Sequence, residues 1–201
     1  MTEDDRKSPY HHGDLRAALL AAAELELAAS GIEAFSLRQV ARRAGVSHAA
    51  PAHHFGDVQG LLTALATEGS RRFLATQAAR EAQAAPDARS QLLAAGVGYV
   101  DFASASPALF RLLFGSARPD YDNPDLRAAA DAAYDHLLGQ VTAAGGRGPL
   151  DAAAVWAMAH GVADLTAAGR MHALQALPDG ARDDALRAII ARSLPPAGAD
   201  T

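Results

Sequence analysis

The stretch that most restricts this chain runs from Ser36 to Leu62, SLRQVARRAGVSHAAPAHHFGDVQGLL. Ser36 is placed to cap a helix, and Gln39 three residues on completes a Ser-x-x-Gln capping box that takes up backbone N–H groups the first turn leaves bare. Phe35 and Val40 flank the cap at the spacing of a hydrophobic staple. Leu37, Val40, Ala41 and Ala44 recur at i, i+3, i+4 and i+7 and form one apolar stripe, with Arg38, Arg42 and Arg43 off it. Gly45 stands where the helix has to stop in a left-handed conformation, which a residue without Cβ adopts freely. Val46 then plugs the angle to a second short helix. Its cap is Ser47 or, because Pro51 is tolerated only in a first turn, His48. The pattern predicts a helix-turn-helix, with Asp57 capping the helix that follows.

Charge agrees with that reading. From Ser36 to Phe55 there are three arginines and no carboxylate, inside a chain whose net charge is −5. Positive charge is therefore gathered in this segment while the remainder is acidic. In a helix-turn-helix the first helix spans the phosphate backbone and the second reads base edges with its N-terminal residues. Arg38, Arg42 and Arg43 are the expected phosphate contacts, with Ser47, His48 and His53 nearest the bases and Gln39 and His54 completing the candidate DNA-binding set. Read without the charge, the same segment is an ordinary helical hairpin.

The run S-L-R-x-V-A-x-x-A-G-V-S, the H-F pair at His54 and Phe55, and the Leu61-Leu62 pair resemble the DNA-binding element of the TetR family of bacterial regulators. The resemblance implies an all-α homodimer, released from operator DNA by a small ligand in its C-terminal domain. Two positions depart from the family pattern: Ala52 stands where an aromatic is usual and Val58 where a lysine is usual. Both usual residues are commonly phosphate contacts, so their loss shifts the expected burden onto the arginines and the N-terminal arm. The strings YHHGDLR near the start and W-x-x-x-H-G at Trp156, His160 and Gly161 resemble subgroups of the same family.

The rest of the chain is consistent with helices throughout. Half of the residues are hydrophobic, but many are alanine and only 5% are aromatic, which favours close-packed helices over strands. The expected fold is all-α, with an arm and three-helix DNA-binding domain in residues 1–56 and a larger helical ligand-binding and dimerisation domain in residues 57–201. There is no cysteine, which removes disulfides and thiolate zinc sites. No apolar run has membrane-spanning length and the polar start does not resemble a signal peptide, so a cytoplasmic protein without a membrane partner is expected.

In chain order, Arg6, Lys7, Tyr10, His11 and His12 form either an arm on the phosphate backbone or a floppy tail. Asp14 is placed to cap the first helix, with Leu15, Ala18, Leu19, Ala22 and Leu25 as its buried stripe and Gly31 as its stop. The fourth helix runs from Asp57 to near Gln83, and Asp87 starts a fifth. Pro107 opens a short sixth helix ended by Gly115, and the segment from Ser116 to Pro124 reads as a gating loop. A seventh helix spans Asp125 to about Ala144. The helix from Asp151 to Ala168 is apolar on nearly all sides, as befits the centre or an interface. A final helix, about Asp183 to Leu194, presents Leu186, Ile189, Ile190 and Leu194. Two such helices from each subunit make the four-helix dimer interface that the resemblance implies.

Candidate chemistry beyond DNA is limited. Histidines cluster in the N-terminal third, but His48 to His53 is i, i+5 and not the spacing of helical metal ligands, so no metal site and no cofactor is expected. No nucleophile elbow, phosphate loop or dinucleotide fingerprint occurs, and no catalytic residue is assigned. His160 is either a hydrogen-bonded core histidine or a polar handle in a ligand pocket. The candidate ligand-binding set is Tyr99, Phe102, Phe110, Phe114, Tyr134, Trp156, Met158 and His160, which suits an apolar or aromatic effector. The rival readings are a helical ligand-binding or adaptor protein whose DNA function has decayed and, resting on His160 alone, an enzyme.

Overall fold

The computed structural model describes residues 12–194, with side chains from Leu15 onward. Among these residues every regular element is helical. The arm residues Arg6, Lys7, Tyr10 and His11 lie outside the described residues. Helix α1 spans His12–Ser30, so it starts ahead of the expected cap at Asp14.

The buried face of α1 differs from the expected one. Leu19, Ala22, Ala23, Glu26 and Leu27 are buried, whereas Leu25 is 58% exposed and Ala18 faces solvent. The physical reason is Glu26. A carboxylate reads as a solvent position, and excluding it rotates the apparent stripe onto Leu25. Here Arg43 from the next helix neutralises it, and the helix buries the face that contains it.

Helix α2, Leu37–Ala44, forms as its capping pattern requires. Ser36 Oγ accepts the Gln39 N–H at 3.4 Å, and Phe35 and Val40 are buried in the same cluster. Gly45 has φ +68°; its N–H donates to the Arg42 carbonyl, and the Val46 N–H to that of Ala41. This paired arrangement is the Schellman stop, and it fixes the direction in which the chain leaves the helix.

Helix α3, Ala50–Phe55, starts later than expected. Neither Ser47 nor His48 caps it; Ala49 occupies the cap position and Pro51 the first turn. Proline explains the shift. An α-helix begun at Ser47 needs an N–H at Pro51 to reach the Ser47 carbonyl, and proline has none. That carbonyl accepts instead from Ala50 at 3.0 Å, a tighter turn that delays the helix.

Asp57 caps helix α4, Val58–Glu81, through the Gly60 N–H at 2.8 Å. Asp87 caps α5, Ala88–Ala105, in the same manner through Ser90. Helix α6, Pro107–Gly115, folds back at 110° to α5. Asn123 caps α7, Pro124–Ala143, accepting from both Asp125 and Leu126. Helix α8 spans Pro149–Ala167; a one-turn helix that the sequence did not suggest, α9 (His172–Gln175), follows. Helix α10, Asp179–Ile190, begins earlier than expected and ends in a 3₁₀ turn, Ala191–Ser193.

One continuous core runs from Leu19 of α1 through Leu61 and Leu65 of α4 to Phe102 of α5 and Leu186 of α10. A smaller cluster of Leu92, Val141, Val155 and Ile190 ties α5, α7, α8 and α10 together. Helix α8 is not buried all round. Val155, Ala159, Val162 and Ala163 face the core, but Leu150 is 84% exposed, Trp156 44% and Leu165 39%. Arg80 of α4 bridges Asp101 of α5 and Asp183 of α10, each at 2.6 Å, and Arg182 adds a contact to Asp101 at 3.2 Å. Among the described residues, no single helix is long and apolar enough to cross a membrane.

Helices α4 and α5 meet backbone to backbone at Gly98. A Cβ there would lie 2.7 Å from Gln77 Cα and 3.0 Å from the Thr76 carbonyl oxygen, both backbone atoms that cannot turn aside. Gly98→Ala should therefore cost about 1–3 kcal/mol through overpacking. Gly139, an exposed helical residue of α7 whose added Cβ meets nothing within 4 Å, should gain about 0.5–1 kcal/mol as Gly139→Ala. Urea denaturation of the two variants checks the contrast, and equal effects would contradict the close approach.

Candidate nucleic-acid interface and ligand cavity

The DNA-binding candidates divide once their partners are known. Arg38 and Arg42 of α2 are exposed, with no ion-pair or hydrogen-bond partner for either side chain among the described residues. Ser47, His48 and His53 are exposed beside α3, while Gln39 and His54 are half-buried. Arg43 stands apart: its Nε and Nη2 both donate to Glu26 Oε2, at 3.1 and 2.8 Å. Glu26 is 2% exposed. The hydrogen bonds from Arg43 hold its carboxyl below the usual carboxylate range, overcoming the opposing effect of burial. Arg43 thus serves α1–α2 packing, and its guanidinium is already occupied.

Arg16 has a role the sequence did not disclose. Its guanidinium lies 5.4 Å from the centre of the Phe55 ring, a cation–π contact between α1 and the end of α3. Ala52 is exposed at the position where the resemblance expects an aromatic, and Val58 opens α4 half-buried.

The second site is a cavity of about 260 Å³ among α4, α5, α7 and α8. Of the expected ligand-binding residues, Tyr99, Phe114, Tyr134 and Trp156 line it. Phe102 and Phe110 are instead core residues, 1% and 2% exposed, and Met158 and His160 are not in the wall. The sequence reading missed Ser70, Phe73 and Gln77 of α4, Tyr121 of the loop before α7, and His136 and Gln140 of α7. Phe73 reads as a core residue of the fourth helix and Tyr121 as part of a loop, and nothing in the spacing of the polar residues sets them apart from a solvated helix face.

His160 acts through Tyr99. Trp156 Nε1 donates to the Tyr99 hydroxyl oxygen at 3.2 Å, and that hydroxyl lies 2.8 Å from His160 Nδ1. Burial pushes the Tyr99 phenol well above its ordinary value, so it stays protonated and its proton is available to Nδ1. The imidazole stacks on Phe110 at 5.3 Å between ring centres. No carboxylate or nucleophile contacts this network among the described residues. Its geometry orients the cavity wall and does not assemble a reaction centre. At the cavity edge, His136 Nε2 meets Glu81 Oε1 at 2.7 Å. Among the described residues, no group of three His, Cys, Asp or Glu side chains could hold a metal ion.

Both sites touch α4. Its N-terminal cap, Asp57, is separated from Phe55 at the end of α3 by Gly56 alone, and its middle forms one wall of the cavity. The loop between α6 and α7 bridges them as well. Tyr121 lies in the cavity wall, and the N–H of the preceding Asp120 donates to Thr63 Oγ1 of α4 at 2.8 Å.

A helix-turn-helix carrying exposed arginines is thus joined by one shared helix to a cavity in a helical domain. Comparison with known proteins gives the family. Residues 19–65 match the bacterial regulatory proteins of the tetR family, and residues 92–192 match the tetracyclin repressor-like C-terminal domain. A protein of unknown function from Rhodococcus sp. RHA1 is 38% identical, with 94% of this chain and 99% of that chain covered and a TM-score of 0.75. A TetR-like transcriptional regulator from the same organism is 19% identical over 91% of this chain and 97% of its own, with a TM-score of 0.65. The regulator LfrR from Mycobacterium smegmatis, in complex with proflavine, is 20% identical over the same shares of the two chains, with a TM-score of 0.61. The last two show the fold alone. None of the curated proteins compared matches the chain. The chain belongs to the TetR family of transcriptional regulators, which are DNA-binding factors and not enzymes.

The Glu26–Arg43 pair makes a linked prediction. Glu26 has a folded value below its ordinary 4.5, so the stability it contributes is complete above that pH and is lost as pH falls through the lowered value. Arg43→Ala, which strands a buried carboxylate, should lose about 1–3 kcal/mol near neutral pH, whereas Arg42→Ala should lose almost nothing. Glu26→Gln should flatten the acid side of the stability profile. Denaturation across pH 3 to 7 reads both effects, and equal losses for the two arginines would remove the assigned role.

Proposed function

We propose that this chain is a homodimeric repressor that binds a roughly palindromic operator and is released by a small apolar or aromatic effector. The observation that carries the DNA half is a pair of exposed arginines, Arg38 and Arg42, without carboxylate partners among the described residues of a chain whose net charge is −5. Unspent positive charge in an acidic protein is placed for a polyanion. Arg38 and Arg42 hold phosphates; Ser47, His48 and His53, with Gln39 and His54 behind them, lie toward the bases. Arg43 supports α2 from within. Residues 1–56 form the DNA-binding domain and residues 57–201 the effector-binding and dimerisation domain, with cytoplasmic DNA as the partner.

The dimer reading is supported by the outer face of α8. Leu150, Ala153, Ala154, Ala157 and Leu165 are exposed on one side of the helix, with Asp164 at its C-terminal end; the rest of that face is apolar, mostly of small residues, and suited to close packing against a second copy. A twofold partner sets two α3 helices about one turn of DNA apart, about 34–36 Å. The effector reading is supported by the cavity on α4. LfrR binds the aromatic compound proflavine, and an aromatic effector suits this cavity's ringed wall. Release requires that the effector bind the released state more tightly than the DNA-bound one. Ser70 lies roughly 20 Å along α4 from its cap, so a small tilt at the cavity is carried to α3.

Fluorescence anisotropy with the DNA upstream of its own gene tests the first half. Log affinity should fall linearly with log salt, by about 0.9 per phosphate contact, and Arg38→Ala with Arg42→Ala should weaken every sequence and flatten that slope by roughly 2. Unchanged affinity in the double variant would leave a ligand-binding protein without DNA function as the better reading. Ala157→Glu, which puts a charge in the middle of the apolar part of the α8 face, should yield a folded monomer by analytical ultracentrifugation with sharply weaker operator binding. A dimer that survives this change would refute the α8 interface.

A further inference from the structure

We propose that the cavity selects an uncharged aromatic molecule whose hydrogen-bonding end is gripped by Gln77 and Ser70 of α4. This rests on the reading of the cavity as the effector site and names the chemistry of what enters it.

Gln77 supplies the first constraint. It is 8% exposed and lines the cavity, yet only half of its amide is satisfied. Nε2 donates to the Ala95 carbonyl at 3.3 Å. A carbonyl only accepts, so the amide cannot be turned over, and Oε1 is the atom left without a donor among the described residues. Ser70, one of the same wall residues, is 6% exposed, and its hydroxyl likewise has no partner among the described residues. The two are seven positions apart on α4 and share a face, with Phe73 between them. Both atoms open onto the cavity, where a ligand that brings an O–H or N–H can satisfy them.

Charge supplies the second constraint. No aspartate, glutamate, lysine or arginine is among the residues lining the cavity. The one imidazole in the wall, His136, is taken up by the Glu81 carboxylate at 2.7 Å. A cation or anion would lose its hydration on entry and meet no unpaired counter-charge in the wall. The rings supply the third. Phe73 meets Tyr99 edge-on at 4.9 Å between centres, and Phe114 stacks on Tyr99 at 5.6 Å, which offers a flat ring both faces and edges. With about 260 Å³ available, the space suits a compound of about two fused rings.

Calorimetric titration of the full chain with four probes on one ring system tests this: 2-naphthol, 2-methylnaphthalene, 2-naphthoate and 2-naphthylmethylammonium. The uncharged donor, 2-naphthol, should bind about tenfold or more tightly than each of the other three, the size expected of one buried hydrogen bond. Gln77→Leu should bring 2-naphthol to within about threefold of 2-methylnaphthalene while leaving the latter unchanged. Ser70→Ala, a smaller change kept in reserve should Gln77→Leu not fold, should cost 2-naphthol about threefold or more. The proposal is overturned if either ion binds as tightly as 2-naphthol, if the folded variants keep the wild-type selectivity, or if none of the four binds. Operator release is measured separately. Selective binding without release would sustain this assignment and sink the effector role instead.

Discussion

The backbone contact between α4 and α5 at Gly98 and Gln77 governs how the rest of the molecule fits together. Helices packed through side chains can slide, because the interdigitated groups change rotamer. Helices packed backbone to backbone have no such freedom. At this crossing the peptide of Thr76 and the Cα of Gln77 leave no room for a methyl group on Gly98. Helix α4 is therefore clamped at the level where it faces the cavity, and the Arg80 bridges to Asp101 and Asp183 clamp it again one turn later. Its other end, beyond Leu61 and Leu62, carries α3. A disturbance at the cavity can tilt α4 as a rod, but it cannot be absorbed by slippage along α5.

The second determinant is electrostatic and decides which positive charges face outward. On the sequence, Arg38, Arg42 and Arg43 are equivalent: all lie off the apolar stripe of α2. Burial of Glu26 separates them. A carboxylate in that position is tolerable only with a cation in direct contact, and Arg43 is the residue in reach. One positive charge is thereby spent on holding α1 to α2, which fixes the orientation of the turn that leads to α3. The remaining two make no ion pair or hydrogen bond among the described residues, and Arg42 acts on Glu26 only through its charge at a distance. The pair at Arg43 makes the platform, and the free pair makes the charge.

Much of the fold was legible because its signals are local. The caps at Ser36, Asp57 and Asp87, the stop at Gly45 and the proline start at Pro107 are each decided by a few neighbouring residues, and the helices follow them. Where the reading of α1 departed from the structure, a distant residue had intervened. Leu25 reads as core until Arg43, 17 residues after Glu26, lets that carboxylate turn inward. The start of α3 depends on an N–H that Pro51 lacks, a local fact whose consequence, a tighter turn at Ser47, is not visible in spacing. The cavity was half legible. Tyr99, Phe114, Tyr134 and Trp156 were found by their size, whereas Ser70 and Gln77 line the cavity only because α5 and α7 leave a gap beside them, which is a property of packing.

The bridge between cavity and DNA-binding element also limits which ligands can act on it. A molecule that fills the existing space without moving anything stabilises the state already present, whatever its affinity, and shifts no equilibrium. To act, it must favour a different placement of α4 or of the loop before α7. Two contacts are exposed to that demand: the α4 face bearing Ser70 and Gln77, and the loop on which Tyr121 enters the cavity wall while Asp120 holds Thr63. A ligand that bonds the α4 face pulls on the rod itself. One that displaces Tyr121 draws the neighbouring Asp120 N–H away from Thr63, near the end of α4 that follows α3. Because Thr63 Oγ1 also donates to the Gln59 carbonyl at 2.7 Å, loss of the loop leaves the helix intact and only its anchorage changed. Affinity and release are thus separable properties of this cavity: the aromatic wall governs the first, and the contacts on α4 and its loop govern the second.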